Sequence, residues 1–214
     1  MTGKSERTFL PAAGHELLLP IYDPFTKLFG FDRVRRMLLD QAALQPYHRV
    51  LDVGCGTGTL AVLIKRLYPA VDVVALDPDP KALARAQRKA GRAGVSIRFD
   101  RGFSDALGYP DAAFDRVFAS MMFHHVDKAD KENTLREIRR VLKPGGRLEF
   151  LDFAGSPSHR QGVLARLIHP PQRLTDSAED RILARFSRAG FRDPKKIRDH
   201  STLFGSVAFF EAST

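Results

Sequence analysis

One segment of the chain has the residue types and spacing of a small-molecule binding loop. Residues 50–58 read VLDVGCGTG, in which Asp52 lies within the apolar run and is followed by Gly54, Gly56 and Gly58. Glycines allow positive φ angles and let a ligand approach the main chain without interference from a Cβ atom. A dinucleotide-binding loop would have the spacing GxGxxG, whereas this loop has GxGxG. The spacing therefore favours a bound small molecule other than a dinucleotide.

Two acidic residues indicate which chemical groups that molecule has. Asp52 would repel a pyrophosphate, but a carboxylate gains a charge-assisted hydrogen bond from an ammonium group. Asp77 follows Gly54 by 23 positions and ends the second predicted strand, where an acidic residue in this architecture accepts hydrogen bonds from a ribose diol. S-adenosylmethionine has both a cationic group and a ribose, and it is the ligand that we expect.

The elements that must position these residues alternate between strand and helix patterns. Strands are predicted at 48–53, 71–76, 95–99, 115–119, 147–153, 195–200 and 203–210. Helices are predicted at 24–44 with a break at Gly30, at 60–67, from Pro80 to Gly91 or Gly94, at 131–142 and at 178–189. The pattern predicts an α/β fold with a doubly wound, mainly parallel seven-stranded sheet. The last two strands have no helix between them, which predicts an antiparallel C-terminal hairpin.

Length and composition limit the class of protein. The chain has 214 residues, of which 43% are hydrophobic and 28% are charged, without a long uninterrupted apolar run. These values exclude wholesale disorder and a spanning helix. The single cysteine, Cys55, excludes an internal disulfide and a thiolate zinc site, and we expect no metal. The N-terminus shows no signal-peptide core, which makes the cytoplasm the expected location.

The domain organisation that we expect is one domain over residues 1–214. It has an N-terminal helical cap at about 20–45 and a short lid-like insertion at about 155–176. The oligomeric state is not predicted.

The net charge of +9 raises the question of an anionic partner. Part of the excess recurs at helical spacing and forms what we call the basic stripe, namely Lys81, Arg85, Arg88 and Arg92. This stripe is either a solvated helix face or a peripheral contact with an anionic membrane. Nucleic acid is disfavoured, because the fourth strand is followed by SMMFHH rather than an Asn/Asp-Pro-Pro-aromatic segment, and no RNA-binding module is present.

Four segments in order carry a family resemblance: VLDVGCGTG at 50–58, VVALDPDP at 73–80, AAFDRVFASMMFHHV at 112–126 and LREIRRVLKPGGRLEFLDF at 135–153. From Tyr22 to Phe153 the chain resembles the class I S-adenosylmethionine-dependent methyltransferases. It is most similar to the small-molecule branch that includes the ubiquinone/menaquinone biosynthesis enzymes. The resemblance implies methyl transfer to a small-molecule acceptor such as a quinone, phenol, amine or lipid-like compound. The alternatives are an RNA methyltransferase and a non-catalytic S-adenosylmethionine-binding protein.

The resemblance also implies roles for individual residues. The methionine end of the cofactor would contact Asp52 and Gly54, the ribose would contact Asp77, and the adenine would lie near Pro78. Relatives have an aspartate that recognises the adenine ring where this chain has Phe103. Phe103 and Ser104, or Asp105, would therefore hold the ring. The other implied cofactor contacts are Cys55, Gly56, Gly58, Ser120, Met121 and Tyr22, the last with Asp23 in an element that folds over the cofactor.

Two histidines follow the fourth predicted strand, where the family active site faces its acceptor. An imidazole of His124 or His125 could remove a proton from a hydroxyl group or an activated carbon. Asp152 lies near the end of the fifth strand, where it either faces the acceptor or is a solvated strand end. We therefore expect His124 or His125 to be the catalytic base if the acceptor requires one.

Overall fold

The computed structural model describes residues 31–154, 179–202 and 205–214. The elements are, in chain order, α1 (Phe31–Ala42), β1 (Arg49–Val53), α2 (Thr59–Leu67), β2 (Asp72–Asp77), α3 (Pro80–Ala93), β3 (Arg98–Arg101), β4 (Phe114–Ser120), a single 3₁₀ turn (Phe123–His125), α4 (Lys131–Val141), β5 (Leu142–Phe153), α5 (Glu179–Arg188), β6 (Arg192–Thr202) and β7 (Gly205–Ser213). Tyr22, Asp23, residues 20–30 of the expected cap and the expected insertion at 155–176 lie outside these ranges.

The strands form one seven-stranded sheet in the order β3-β2-β1-β4-β5-β7-β6. Neighbouring strands from β3 to β5 pair in parallel, whereas β7 pairs antiparallel with both β5 and β6. The predicted doubly wound sheet and its antiparallel C-terminal hairpin are therefore confirmed. The strand order reverses between β1 and β4, and ligands in such sheets bind beyond the carboxyl ends of the strands at this reversal.

Two apolar clusters cover the two faces of the sheet. One contains Val34 and Leu38 of α1 with Phe209 of β7, and the other contains Ile138 of α4 with Phe210 of β7. Successive side chains of a strand point to opposite faces, so the adjacent residues Phe209 and Phe210 belong to different clusters. This packing holds α1 and α2 on one face and α4 and α5 on the other.

Four of the seven predicted strands have a boundary that was wrong by three residues or more: the third, fifth and sixth at their starts and the seventh at its end. The starts of the third and fifth strands have a local cause. The third strand begins at Arg98 rather than Val95, because the Val95 amide still donates to Ala90 O and thereby completes the C-terminal cap of α3. The fifth strand begins at Leu142 rather than Arg147, immediately after α4. The Lys143-Pro-Gly-Gly segment was expected to precede the strand. It is instead part of the strand, because a register shift between Phe114 and Arg116 of β4 accommodates it.

Within the three described ranges, no helix combines the length and the apolar character that crossing a membrane requires.

Candidate active site

The glycine loop lies at the carboxyl end of β1 and is fastened to β2. The three glycines have left-handed backbone conformations, with φ of 68° at Gly54, 52° at Gly56 and 73° at Gly58. The amides of Gly54 and Cys55 both donate to Leu76 O, at 2.8 and 3.0 Å. A Cβ atom at Gly54 would lie 2.6 Å from the Met122 Cβ atom. The loop therefore requires glycine at this position both for its φ angle and for the space beside Met122.

Asp77 connects the end of β2 to this loop. Its buried carboxylate accepts hydrogen bonds from the Gly56 amide at 2.8 Å and from the Asp79 amide at 2.9 Å. Burial raises the pKa of Asp77 to about 6, although the two amides act in the opposite direction. A carboxylate has about four lone-pair sites, so two amide donors leave capacity for two hydroxyl donors. Asp77 can thus shape the loop and accept a ribose diol at the same time.

Asp52 places an unsatisfied acceptor beside the loop. Its carboxylate is 2% exposed, and its Oδ2 atom has no hydrogen-bond partner among the described residues. Burial, with a smaller contribution from the charge of Asp77, raises the pKa of Asp52 to about 7. An acceptor that is buried without a partner costs free energy unless a ligand supplies a donor. An ammonium group would supply that donor and would favour the ionised carboxylate.

Arg35 is a residue of this site that sequence reasoning missed. It lies on α1 and lines a cavity that Asp52 and the glycine loop also line. It is 8% exposed, and its Nη1 atom lies 3.1 Å from Asp32 Oδ1. Its charge lowers the pKa of Asp52, against the effect of burial. A guanidinium and a carboxylate in one cavity match the carboxylate and ammonium of an amino acid. The available signal was a cation on the helix face shared by Phe31, Val34 and Leu38, which are all buried.

The structure brings many of the predicted cofactor contacts together and separates others. The cavity is lined by Phe31, Arg35, Asp52, Gly54, Cys55, Gly56, Thr57, Thr59, Leu60, Ser120 and Met121. Burial raises the pKa of the Cys55 thiol, which keeps it protonated and agrees with a passive loop residue. The cofactor contacts of all the predicted residues stay predictions.

Five predicted contacts within the described ranges do not line that cavity: Gly58, Asp77, Pro78, Phe103 and Ser104. Gly58 faces α3 instead, where a Cβ atom would lie 2.7 Å from the Ala86 Cβ atom. The Ser104 hydroxyl lies 3.0 Å from that of Thr134, and Pro78 O accepts from Arg101 Nε. The Gly102 amide donates to Asp77 O at 3.2 Å, which joins the loop after β3 to the end of β2. The adenine subsite at this junction stays a prediction.

His124 and Asp152 form a buried pair at the ends of β4 and β5. The His124 Nδ1 atom lies 2.7 Å from Asp152 Oδ1, and the His124 amide donates to Asp152 Oδ2 at 3.0 Å. Asp152 is 1% exposed, so the interpretation as a solvated strand end was wrong. The His125 ring lies beside the His124 ring, with 4.1 Å between their centroids. Sequence reasoning noted all three residues but did not predict the pair.

The donors and acceptors present fit S-adenosylmethionine. Asp52 has an unpartnered acceptor that would suit the amino group, Arg35 is a cation that would suit the carboxylate, and Asp77 has acceptor capacity that would suit the ribose. When bound, this molecule supplies a methyl group that its sulfonium charge activates toward nucleophiles.

Comparison with known proteins agrees with this chemistry. The family model described as "Methyltransferase domain" matches residues 50–146. A demethylmenaquinone methyltransferase from Thermus thermophilus is 40% identical over 153 residues, which cover 70% of this chain and 69% of that protein. A ubiquinone/menaquinone biosynthesis C-methyltransferase from Pasteurella multocida is 34% identical over 157 residues, which cover 71% of this chain and 58% of that protein.

A solved structure supports the fold independently. The YcgJ protein from Bacillus subtilis superimposes with a TM-score of 0.73 at 18% identity, and the match covers 86% of this chain and 98% of that one. The extent and identity of the Thermus match, together with the glycine loop and its two aspartates, establish the family. The chain belongs to the class I S-adenosylmethionine-dependent methyltransferases and resembles their ubiquinone and menaquinone biosynthesis branch.

Proposed function

We propose that this methyltransferase transfers the methyl group to a ring carbon of a reduced quinone, an apolar aromatic molecule with two hydroxyl groups. The observation that carries this proposal is the 40% identity to a protein named demethylmenaquinone methyltransferase. A second relative is named a C-methyltransferase, which favours carbon over oxygen as the accepting atom. A hydroquinone ring is electron-rich, and its carbon can attack an activated methyl group once a hydroxyl proton is removed.

In this proposal the chain mainly orients the two reactants. Asp52 and Arg35 fix the amino-acid end of the donor, and Asp77 fixes its ribose. Ser120 and Met121, at the end of β4, line the same cavity and would face the acceptor. Alignment of two reactants accelerates a bimolecular transfer strongly even without covalent catalysis. A dedicated base is needed only because an aromatic hydroxyl group is a weak acid.

The test is to incubate the full chain with S-adenosylmethionine labelled in its methyl group and a short-chain demethylmenaquinone reduced with dithionite. We expect a product heavier by one labelled methyl group, and fragmentation should place this group on the ring carbon. The oxidised quinone is the matched control and should not react, because its ring is electron-poor. Parallel reactions with a simple phenol, an alkylamine and phosphatidylethanolamine test other acceptors. Labelling of one of these in place of the quinol would overturn the proposal.

We further propose that the basic stripe brings the enzyme to anionic membranes, where an apolar quinol is concentrated. Lys81, Arg88 and Arg92 are exposed and Arg85 is half-buried on α3. This helix begins three residues after Asp77, so the stripe starts at the edge of the sheet where the cofactor is expected. Each cation near an anionic surface contributes about 1 kcal/mol, so four would hold the enzyme reversibly.

A further inference from the structure

We propose that His124, oriented by Asp152, is the base that accepts the acceptor's hydroxyl proton, and that Asp152 acts as its positioning residue. The two residues lie 28 positions apart and meet because β4 and β5 are adjacent parallel strands. Both side chains are buried, at 2% and 1% exposure, at the carboxyl edge of the sheet. This inference rests on the proposed function, because it concerns the proton of a hydroxylated acceptor.

The hydrogen bonds around Asp152 assign the tautomer of His124. The Phe153 amide donates to Oδ1 at 2.8 Å, and the His124 amide donates to Oδ2 at 3.0 Å. Both carboxylate oxygens therefore act as acceptors, and the ring nitrogen 2.7 Å from Oδ1 must be a donor. A neutral imidazole that carries its proton on Nδ1 has a lone pair on Nε2. Asp152 thus fixes which nitrogen can accept a proton.

The same contacts distinguish His124 from its neighbour. The Asp152 carboxylate bonds to both the ring and the backbone of His124, so it holds the ring at Nδ1 and the residue at its amide. The His125 ring is tilted by 41° against the His124 ring, and the Phe153 ring packs edge-to-face with the His124 ring, with 5.0 Å between their centroids. A base held by a buried carboxylate keeps its orientation and stabilises the imidazolium that forms. We therefore assign the base to His124 and a packing role to His125.

The proposed step conserves atoms and charge. The O–H bond of the quinol breaks, and its proton moves to Nε2 of His124. The electron pair enters the ring, and the ring carbon forms a bond to the methyl group. The methyl–sulfur bond breaks and leaves its electron pair on sulfur, which gives S-adenosylhomocysteine. Loss of the ring C–H proton and return of a proton to the oxygen restore the aromatic diol, so that one proton is released for each methyl group transferred.

The first experiment reads the tautomer directly in the wild-type chain by long-range ¹H–¹⁵N NMR at pH 8 in the presence of S-adenosylhomocysteine. The spectrum of His124→Gln identifies the His124 signals among those of the seven histidines. We expect a protonated Nδ1 and an Nε2 with the chemical shift of a pyridine-type nitrogen. An Nε2–H tautomer would overturn the assignment. This measurement does not depend on the identity of the acceptor, and the tautomer itself is read in the unmodified chain.

The second experiment compares Asp152→Asn with Glu149→Gln, using the short-chain quinol as acceptor. Glu149 is a matched control because it is also buried on β5 but contacts Gln41 and Arg147 rather than His124. The amide that replaces the Asp152 carboxylate can no longer enforce a donor at Nδ1, so we expect kcat to fall about 100-fold with KM changed less than about threefold. Glu149→Gln should retain kcat within about threefold. Equal losses of kcat in Asp152→Asn and Glu149→Gln would show a merely structural role and overturn the inference.

The two proposals fail in distinguishable ways. If the wild-type chain binds S-adenosylhomocysteine but does not methylate the quinol, the proposed acceptor is wrong, and the tautomer measurement alone decides whether Asp152 orients His124. If the wild-type chain methylates the quinol and Asp152→Asn does so equally well, the acceptor is right and the assignment of the base is wrong.

Discussion

Asp77 Oδ2 accepts a hydrogen bond from the Gly56 amide at 2.8 Å, which joins the end of β2 to the middle of the glycine loop. The carboxylate that is expected to hold the ribose is therefore also a structural part of the loop that approaches the ligand. Removing this carboxylate should weaken ligand binding in two ways, because the ribose loses its contact and the Gly56 amide loses its acceptor.

We expect Asp77→Ala to weaken binding of S-adenosylhomocysteine about 10- to 100-fold, because hydrogen bonds to a charged group each contribute about 1.5–3 kcal/mol. Isothermal titration calorimetry measures this change. Asp72→Ala is the control, since Asp72 begins the same strand, is exposed and pairs with Arg49 at the opposite end of the sheet. Unchanged affinity in Asp77→Ala would contradict the cofactor site.

Asp52 should make the ligand-free protein less stable as the pH rises. Burial raises its pKa from 3.8 to about 7, so between these values the folded chain binds a proton that the unfolded chain has released. The contribution of Asp52 to stability is thus fully favourable below about pH 4 and is lost as the pH rises through about 7. We expect Asp52→Asn to raise the Tm of the ligand-free protein at pH 8 by on the order of 5 °C.

The same substitution should weaken binding of S-adenosylhomocysteine, because the amide lacks the charge that pairs with the ammonium group. Differential scanning fluorimetry with and without ligand at pH 5 and pH 8 measures both effects. The gain in Tm should shrink at pH 5, where the aspartate of the wild type is protonated. A Tm of Asp52→Asn below that of the wild type at pH 8 would refute the sign of this prediction.

Gly58 should be sensitive to substitution for reasons of packing. Its φ is 73°, and a Cβ atom would lie 2.7 Å from that of Ala86 on α3. We expect Gly58→Ala to lower the free energy of unfolding by about 2 kcal/mol or more, as measured by urea denaturation. Gly91→Ala is the matched control: Gly91 lies within α3 and has open space at its Cβ position, so this change should raise stability by about 0.5–1 kcal/mol. Equal effects of the two changes would show that the Gly58 contact is not tight.

The basic stripe predicts binding to anionic vesicles. In liposome sedimentation, we expect recovery of the protein with the vesicles to rise with the phosphatidylglycerol fraction and to fall with added salt. Changing all four residues of the stripe to Gln should reduce this binding. A control with the same net charge changes four exposed arginines elsewhere, namely Arg33, Arg36, Arg66 and Arg136. If both quadruple variants lose binding equally, the stripe has no specific role.

The sequence was sufficient to predict the features that depend on local pattern. Alternating apolar runs predicted the sheet, and the glycines at positions 54, 56 and 58 predicted the loop that joins β1 to α2. Arg35 could not be placed in the cavity because its position depends on how α1 packs against the sheet. The pairing of His124 with Asp152 depends on the adjacency of β4 and β5 and on the 3₁₀ turn that follows β4, so neither residue alone indicated it. Local pattern predicts which elements form, whereas contacts between distant residues follow only from their docking.

The position of β7 between β5 and β6 has a consequence for synthesis on the ribosome. Because β7 pairs with both β5 and β6 but is synthesised after them, β5 has an unpaired edge until β7 is made. Over the same period β6 has no partner in the sheet. The parallel half that carries the glycine loop can assemble before β7 emerges, but an exposed strand edge is a template for aggregation. A chaperone would therefore matter most for nascent chains in which β7 has not yet been synthesised.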